Sequence, residues 1–279
     1  MLHKVIHLKD HFPFLGEDGK DPTLTAYVPE NMHEMDWSDK KHPSILVCPG
    51  GGYAHVSARE AEPIAINVLS WGYNAFVLNY SCAPHSFPTQ LLEVAAAMEL
   101  IHENANEWHV DTDRIAIMGF SAGGHLAAHY SNCYDIPEVR AVFPDSKPVR
   151  ASVLGYPVIT ADPAHRHEDT FLNLTGHEVI SPEDVENFSL EKKVTDRTPP
   201  AFIWHTAEDA CVPVMNSILY AQALAAYKKF FAVHIYSFGY HGLSTADGLA
   251  CWPLDEAQKA THNWLRDAKD WLNATFYDL

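Results

Sequence analysis

The stretch Ile115-Ala116-Ile117-Met118-Gly119-Phe120-Ser121-Ala122-Gly123-Gly124-His125-Leu126-Ala127-Ala128-His129 decides how this chain is read. It opens as a short apolar run suited to a buried strand and continues from His125 in residues suited to a helix. Between the two lies G-x-S-x-G. A serine on a sharp strand-to-helix turn has its hydroxyl lifted clear of the sheet, with a helix N-terminus aimed at it. The flanking glycines leave room for that strained backbone. Alone the pattern is weak, since chance supplies it in roughly one chain in ten of this length. A strand before it and a helix after it make Ser121 a candidate nucleophile and not an ordinary turn serine.

On both sides of this unit, short apolar runs alternate with helix-period segments, the pattern of a mainly parallel sheet covered by helices. Strands are expected at 24–28, 44–48, 74–79, 115–119, 151–155, 201–206 and 231–237. A further strand near 5–8 is expected to pair antiparallel at one edge. Pro88 opens a helix in which Leu91, Ala95, Met98, Ile101 and Ala105 recur every three or four residues. A final helix is expected to set Leu254, Ala257, Thr261, Trp264, Ala268 and Trp271 on one side. The fold class is therefore α/β: one domain, 1–279, with a central sheet flanked by helices on both faces. Residues 160–198 break the alternation, being polar and rich in histidine and acids. Ser181-Pro182-Glu183-Asp184 marks a helix start within them, and the segment is expected to form a small lid over the carboxyl ends of the strands.

Composition narrows the class of function. With 279 residues, 47% hydrophobic and 20% charged, the chain is neither disordered nor collagen-like. Its 19 Lys+Arg against 36 Asp+Glu give a net charge of −17, which argues against nucleic acid or an anionic membrane as a partner. The 18 histidines nearly match that excess, so net charge should depend steeply on pH in the acid range. Five scattered cysteines with no C-x-x-C pair read as reduced, buried thiols of a cytoplasmic protein. The first residues lack the apolar region of a secretory signal. No apolar run approaches the roughly 18–20 residues that cross a membrane.

A nucleophilic serine needs a base, and the base an orienting carboxylate. With this kind of turn the chain order is serine, acid, histidine. Ala207-Glu208-Asp209-Ala210-Cys211-Val212-Pro213 follows the strand at 201–206, so Asp209 is the candidate acid and Glu208 its competitor. Phe238-Gly239-Tyr240-His241-Gly242 follows the strand at 231–237 and offers His241 as base. Cys48-Pro49-Gly50-Gly51-Gly52-Tyr53 directly follows a strand, where glycines let backbone N–H groups come close to a substrate. Donors from this loop and from Ala122 would stabilise a tetrahedral oxyanion. No G-x-G-x-x-G occurs in this loop and no Gly-Lys-Ser/Thr follows it, so dinucleotide and P-loop readings fail.

In these residues the sequence resembles the α/β-hydrolase superfamily, within it the acetyl esterase and acetylxylan-esterase-like branch. Besides the segments quoted, the resemblance rests on Arg59-Glu60-Ala61-Glu62-Pro63, Leu78-Asn79-Tyr80-Ser81-Cys82-Ala83-Pro84, Gly155-Tyr156-Pro157-Val158 and Thr198-Pro199-Pro200. The match runs in order from about residue 40 to about residue 265. It implies Ser121 as nucleophile, Asp209 as orienter, His241 as base, and Gly51, Gly52 and Ala122 as oxyanion donors. Pro49 stands where many related esterases carry histidine, which favours the sugar-esterase branch over the lipase-like one.

His125 and His129 have a zinc-like spacing, but Leu126 replaces the glutamate of H-E-x-x-H and no metal or other cofactor is expected. His165 and His167 read as part of a solvated loop, and Arg59 with Glu60 as a surface pair. Tyr53, His55, Tyr80 and Tyr156 are candidate substrate contacts by their places near strand ends. The expected function is hydrolysis of short-chain esters, acetyl above all, on a sugar or similar small alcohol. Alternatives on the same residues are an amidase of the kynurenine-formamidase kind or a small peptidase. A ligand receptor on a hydrolase scaffold is a third, disfavoured because all three catalytic candidates are present. A homodimer is the base-rate expectation.

Overall fold

A computed structural model describes residues 1–278, the side chain of Met35 excepted. Among the described residues eight strands form one sheet: β1 (Leu2–His7), β2 (Thr23–Val28), β3 (His42–Cys48), β4 (Asn74–Asn79), β5 (Val110–Phe120), β6 (Ala151–Gly155), β7 (Ala201–Thr206) and β8 (Phe231–Tyr236). Their order across the sheet is β1-β2-β4-β3-β5-β6-β7-β8. β2 lies antiparallel to both β1 and β4, and every other neighbouring pair is parallel. This is the mainly parallel sheet, with an antiparallel edge, that the alternation predicts.

Helices cover both faces because side chains alternate across each strand. In β3, Leu46 and Cys48 join one core while Ile45 and Val47 join the other; in β5, Ile115 and Ile117 part from Ala116, Met118 and Phe120 in the same way. The first core is closed by α2 (Thr89–Glu103), α3 (Ser121–Cys133) and α4 (Met215–Ala226), the second by α1 (Glu62–Ser70) and α5 (Trp264–Tyr277). Among the described residues, no helix is long and apolar enough to cross a membrane.

The final helix differs from expectation. Asp255 and Gln258 form a capping box that starts a separate short helix (Glu256–Lys259), a 3₁₀ turn follows at Ala260–Asn263, and α5 begins only at Trp264. Ala257 is exposed, and the buried stripe runs through Thr261, Trp264, Leu265, Ala268 and Leu272.

Residues 160–198 hold two helices, Glu168–Thr175 and Pro182–Phe188. The second starts where expected, with Ser181 accepting from the N–H of Asp184 in a capping box. The first carries acids in its opening turn, buries Phe171 and Leu174, and ends on left-handed Gly176. This helix is tied to the glycine loop by a 2.9 Å hydrogen bond from Asn173 Nδ2 to the carbonyl of Gly52.

Candidate active site

Because β3, β5, β6, β7 and β8 are parallel, the chain leaves all five at the same edge of the sheet, where open α/β sheets bind their ligands. The loops after these strands carry Gly50–Gly52, Ser121, Tyr156, Asp209 and His241. Ser121 closes β5 and opens α3 with φ +53°, a left-handed turn that a non-glycine residue rarely adopts. Gly123 lets this turn press against the end of β3. A Cβ there would lie 2.1 Å from the carbonyl oxygen of Cys48 and 2.2 Å from that of Pro49.

The three catalytic candidates meet in one hydrogen-bonded chain. Ser121 Oγ is 2.8 Å from His241 Nε2, and His241 Nδ1 is 2.6 Å from Asp209 Oδ2. A carboxylate only accepts, so Nδ1 carries the proton and Nε2 accepts from the hydroxyl. The Asp209 side chain is fully buried, and its other oxygen accepts the N–H groups of Cys211 and Val212, each at 2.9 Å. Burial pushes its pKa up, but hydrogen bonds from His205, His241 and the Val212 backbone hold it well below the usual carboxylate range. Glu208, the competitor, is exposed and accepts the N–H of Gly239 at 3.0 Å, anchoring the loop that carries His241 without touching the ring.

Gly51 and Gly52 have φ of +124° and +64°. Among the described residues their N–H groups reach no acceptor, whereas that of Gly50 donates to Glu60 Oε2 at 2.7 Å. Ala122 lies in the first turn of α3, where N–H groups have no intrahelical partner. Gly51 and Gly52 line a cavity of about 430 Å³ together with Ser121 and His241, and Ala122 is buried behind Ser121.

The four expected substrate contacts part company here. His55 lines the cavity; Tyr53, Tyr80 and Tyr156 are buried and do not. Tyr53 pairs its hydroxyl with His125 Nδ1 at 3.1 Å, Tyr80 donates to the carbonyl of Pro49 at 2.6 Å, and Tyr156 donates to Glu60 Oε1 at 2.7 Å. Tyr53 and Tyr156 stand at φ +55° and +35°. All three rings sit beneath the loops as supports.

Several other assignments change as well. His167 is half-buried in the cavity wall with Asp169, Leu172 and Asn173, and is not part of a solvated loop. Burial, then repulsion from His241, lowers its pKa. Cys211 is exposed and also lines the cavity, unlike the buried thiol expected. Glu60 is buried where a surface pair with Arg59 is expected, and only Arg59 is exposed. His125 and His129 are buried on α3. His125 Nε2 donates to the carbonyl of Phe188 at 3.1 Å, and burial lowers the two pKa values to about 4 and about 3. Among the described residues no group of three or more His, Cys, Asp or Glu is arranged to hold a metal ion.

A family profile described as BD-FAE matches residues 31–224. The chain belongs to this family of α/β hydrolases. Endo-1,4-beta-xylanase B of Butyrivibrio fibrisolvens is 38% identical over 235 residues, covering 80% of this chain and 36% of that protein. An acetylxylan esterase of Xylanibacter ruminicola is 31% identical over 259 residues, covering 90% of this chain and 49% of that one. The chain thus spans half or less of the length of these two relatives. The acetyl ester-xyloside bifunctional hydrolase of Caldicellulosiruptor lactoaceticus superposes with a TM-score of 0.83 at 32% identity, over 97% of this chain and 96% of the other.

Proposed function

We propose that this chain is a serine carboxylesterase that removes short acyl groups, acetyl above all, from a sugar or oligosaccharide. The observation that carries the reading is the continuous contact from Asp209 through His241 to Ser121, at 2.6 and 2.8 Å, beside two glycine amides with no other acceptor among the described residues. His241 takes the Ser121 proton as Oγ attacks the ester carbonyl. The amides of Gly51, Gly52 and Ala122 receive the oxyanion. The imidazolium then gives its proton to the departing alcohol. Water, deprotonated by the same ring, attacks the acyl-enzyme, and Ser121 is restored as the acid leaves.

Two things support a sugar alcohol. Two relatives carry xylan or acetylxylan in their names. The cavity wall adds Arg59, His55, His167, Asp169 and Asn173, polar groups able to pair with hydroxyls. Residues 160–198, of which His167, Asp169, Leu172 and Asn173 form that side of the cavity, act in this reading as a lid. The five free thiols agree with a reducing, cytoplasmic compartment.

The test is acetate release from acetylated xylo-oligosaccharides, run beside matched N-acetyl and N-formyl compounds. Release from the esters at least about 10²-fold faster, a difference of about 3 kcal/mol in barrier, is the expected result. Equal or faster cleavage of the amides would replace the esterase with an amidase.

A further inference from the structure

Glu60 is 3% exposed, yet the catalytic sequence of steps gives it no part. Its carboxylate bridges the glycine turn and the loop of the base. Oε2 accepts the N–H of Gly50 and Oε1 accepts the hydroxyl of Tyr156, each at 2.7 Å. The Tyr156 hydroxyl accepts the N–H of Ser244 at 2.9 Å, and Ser244 Oγ donates to the carbonyl of Arg59 at 2.6 Å. The Tyr156 ring stands edge-on to the His241 ring, centroids 5.0 Å apart. On the other side, a Cβ on Gly50 would lie 2.7 Å from Glu60 Oε2 and 2.9 Å from Ser121 Cβ, so carboxylate, turn and serine are packed together.

We propose that Glu60 is a positioning residue of the hydrolytic site, one carboxylate that holds the oxyanion turn and the base in register with Ser121. The proposal rests on the esterase reading above. Hydrogen bonds to an ionised acceptor are stronger than neutral ones, so both loops are fixed against one point. Stability alone gives little reason for a buried charge here, because an apolar side chain of similar volume often serves as well. Left-handed backbone at Tyr156 (φ +35°) and Ser244 (φ +50°) is a further cost that the surrounding contacts sustain.

Charge supplies a readout that packing does not. The groups around His241 are Asp209 with His205 behind it, His167 with Asp169, Arg59 over Gly242, Cys211 in the wall, and Glu60 through Tyr156. Removing the Glu60 charge alone makes the imidazolium less favourable, so the acid limb of the pH–kcat/KM profile moves to lower pH.

The test compares wild type with Glu60→Gln, Glu60→Asp and Tyr156→Phe on 4-nitrophenyl acetate, with the rate of Ser121 labelling by a fluorophosphonate probe measured in parallel. In Glu60→Gln the amide oxygen serves one donor and its NH₂ faces the other. A fall in kcat of about 10–100-fold is expected, by comparison with losing one oxyanion donor, with KM nearly unchanged and the acid limb shifted down. Glu60→Asp keeps the charge but is one methylene short, so kcat falls and the limb stays. Wild-type kcat and limb in Glu60→Gln would overturn the proposal. Losses that only track the folded fraction, with the limb unmoved, would reduce Glu60 to packing and overturn it too. Should Glu60→Gln not fold, Tyr156→Phe decides: it leaves Gly50 bound and should lower kcat by a smaller factor, and an unchanged kcat would overturn the proposal. Should wild type cleave no ester, the esterase reading falls by itself. The labelling rate then decides: slower labelling of Glu60→Gln supports the proposal and an unchanged rate overturns it.

Discussion

Ser121 at φ +53° and Gly51 at φ +124° hold conformations that few residues accept. At Gly51 an added Cβ would stand 2.0 Å from the carbonyl oxygen of His55. Gly51→Ala should therefore move the proposed oxyanion amides while the sheet stays intact, lowering kcat about 10²–10³-fold with an unchanged far-UV spectrum. Asp209→Asn should cost about 10⁴ in kcat, as the imidazole loses its imposed tautomer; steady-state kinetics would check both. The meeting of Ser121, Asp209 and His241 was legible because each sits in a short motif just past a strand. Tyr53, Tyr80 and Tyr156 were misread because the partners that hold their hydroxyls inward, His125, the Pro49 carbonyl and Glu60, lie 31 or more residues away in the chain. Glu60 was misread because one of its two partners, Tyr156, lies 96 residues away.

Helix α3 carries a pH-sensitive element besides Ser121. His129 is buried, its ring stacked on Phe87 with centroids 5.6 Å apart, and burial followed by repulsion from His125 and Lys193 lowers its pKa to about 3. A histidine depressed in the folded state leaves stability untouched above its unfolded value near 6.5 and removes it as pH falls toward 3. From pH 6.5 to 5 the loss is about 2 kcal/mol for such a residue. Glu93 works in the opposite sense, since burial raises its pKa to about 7 and its folded form takes up a proton first. His129→Phe keeps a ring against Phe87. It should flatten the fall in denaturation free energy below pH 6.5 by about 1.4 kcal/mol per pH unit. Urea titrations from pH 7 to 5 would measure it, and an unchanged slope would contradict the assignment. At this scale the strands were legible from apolar runs. The final helix was misread as continuous because the Asp255 and Gln258 cap lies inside a periodic apolar pattern. The helix at Glu168–Thr175 was missed because only Phe171 and Leu174 mark its buried side strongly.

Across the whole molecule, the site draws on residues from 50 to 241 and exists only when β3, β5, β6, β7 and β8 lie side by side. That adjacency follows from the alternating pattern and right-handed crossovers, which is why the sheet and the chain order of the candidate residues could be read together. The identity of the cavity walls could not, since Arg59, His167 and Cys211 come from three separate loops. The most direct test of serine esterase chemistry is hydrolysis of a chromogenic ester series from acetyl to octanoyl, with wild type and Ser121→Ala side by side. The account predicts acetate released fastest by wild type and turnover reduced to near background in Ser121→Ala. Equal hydrolysis by both proteins, or none by either, would contradict it.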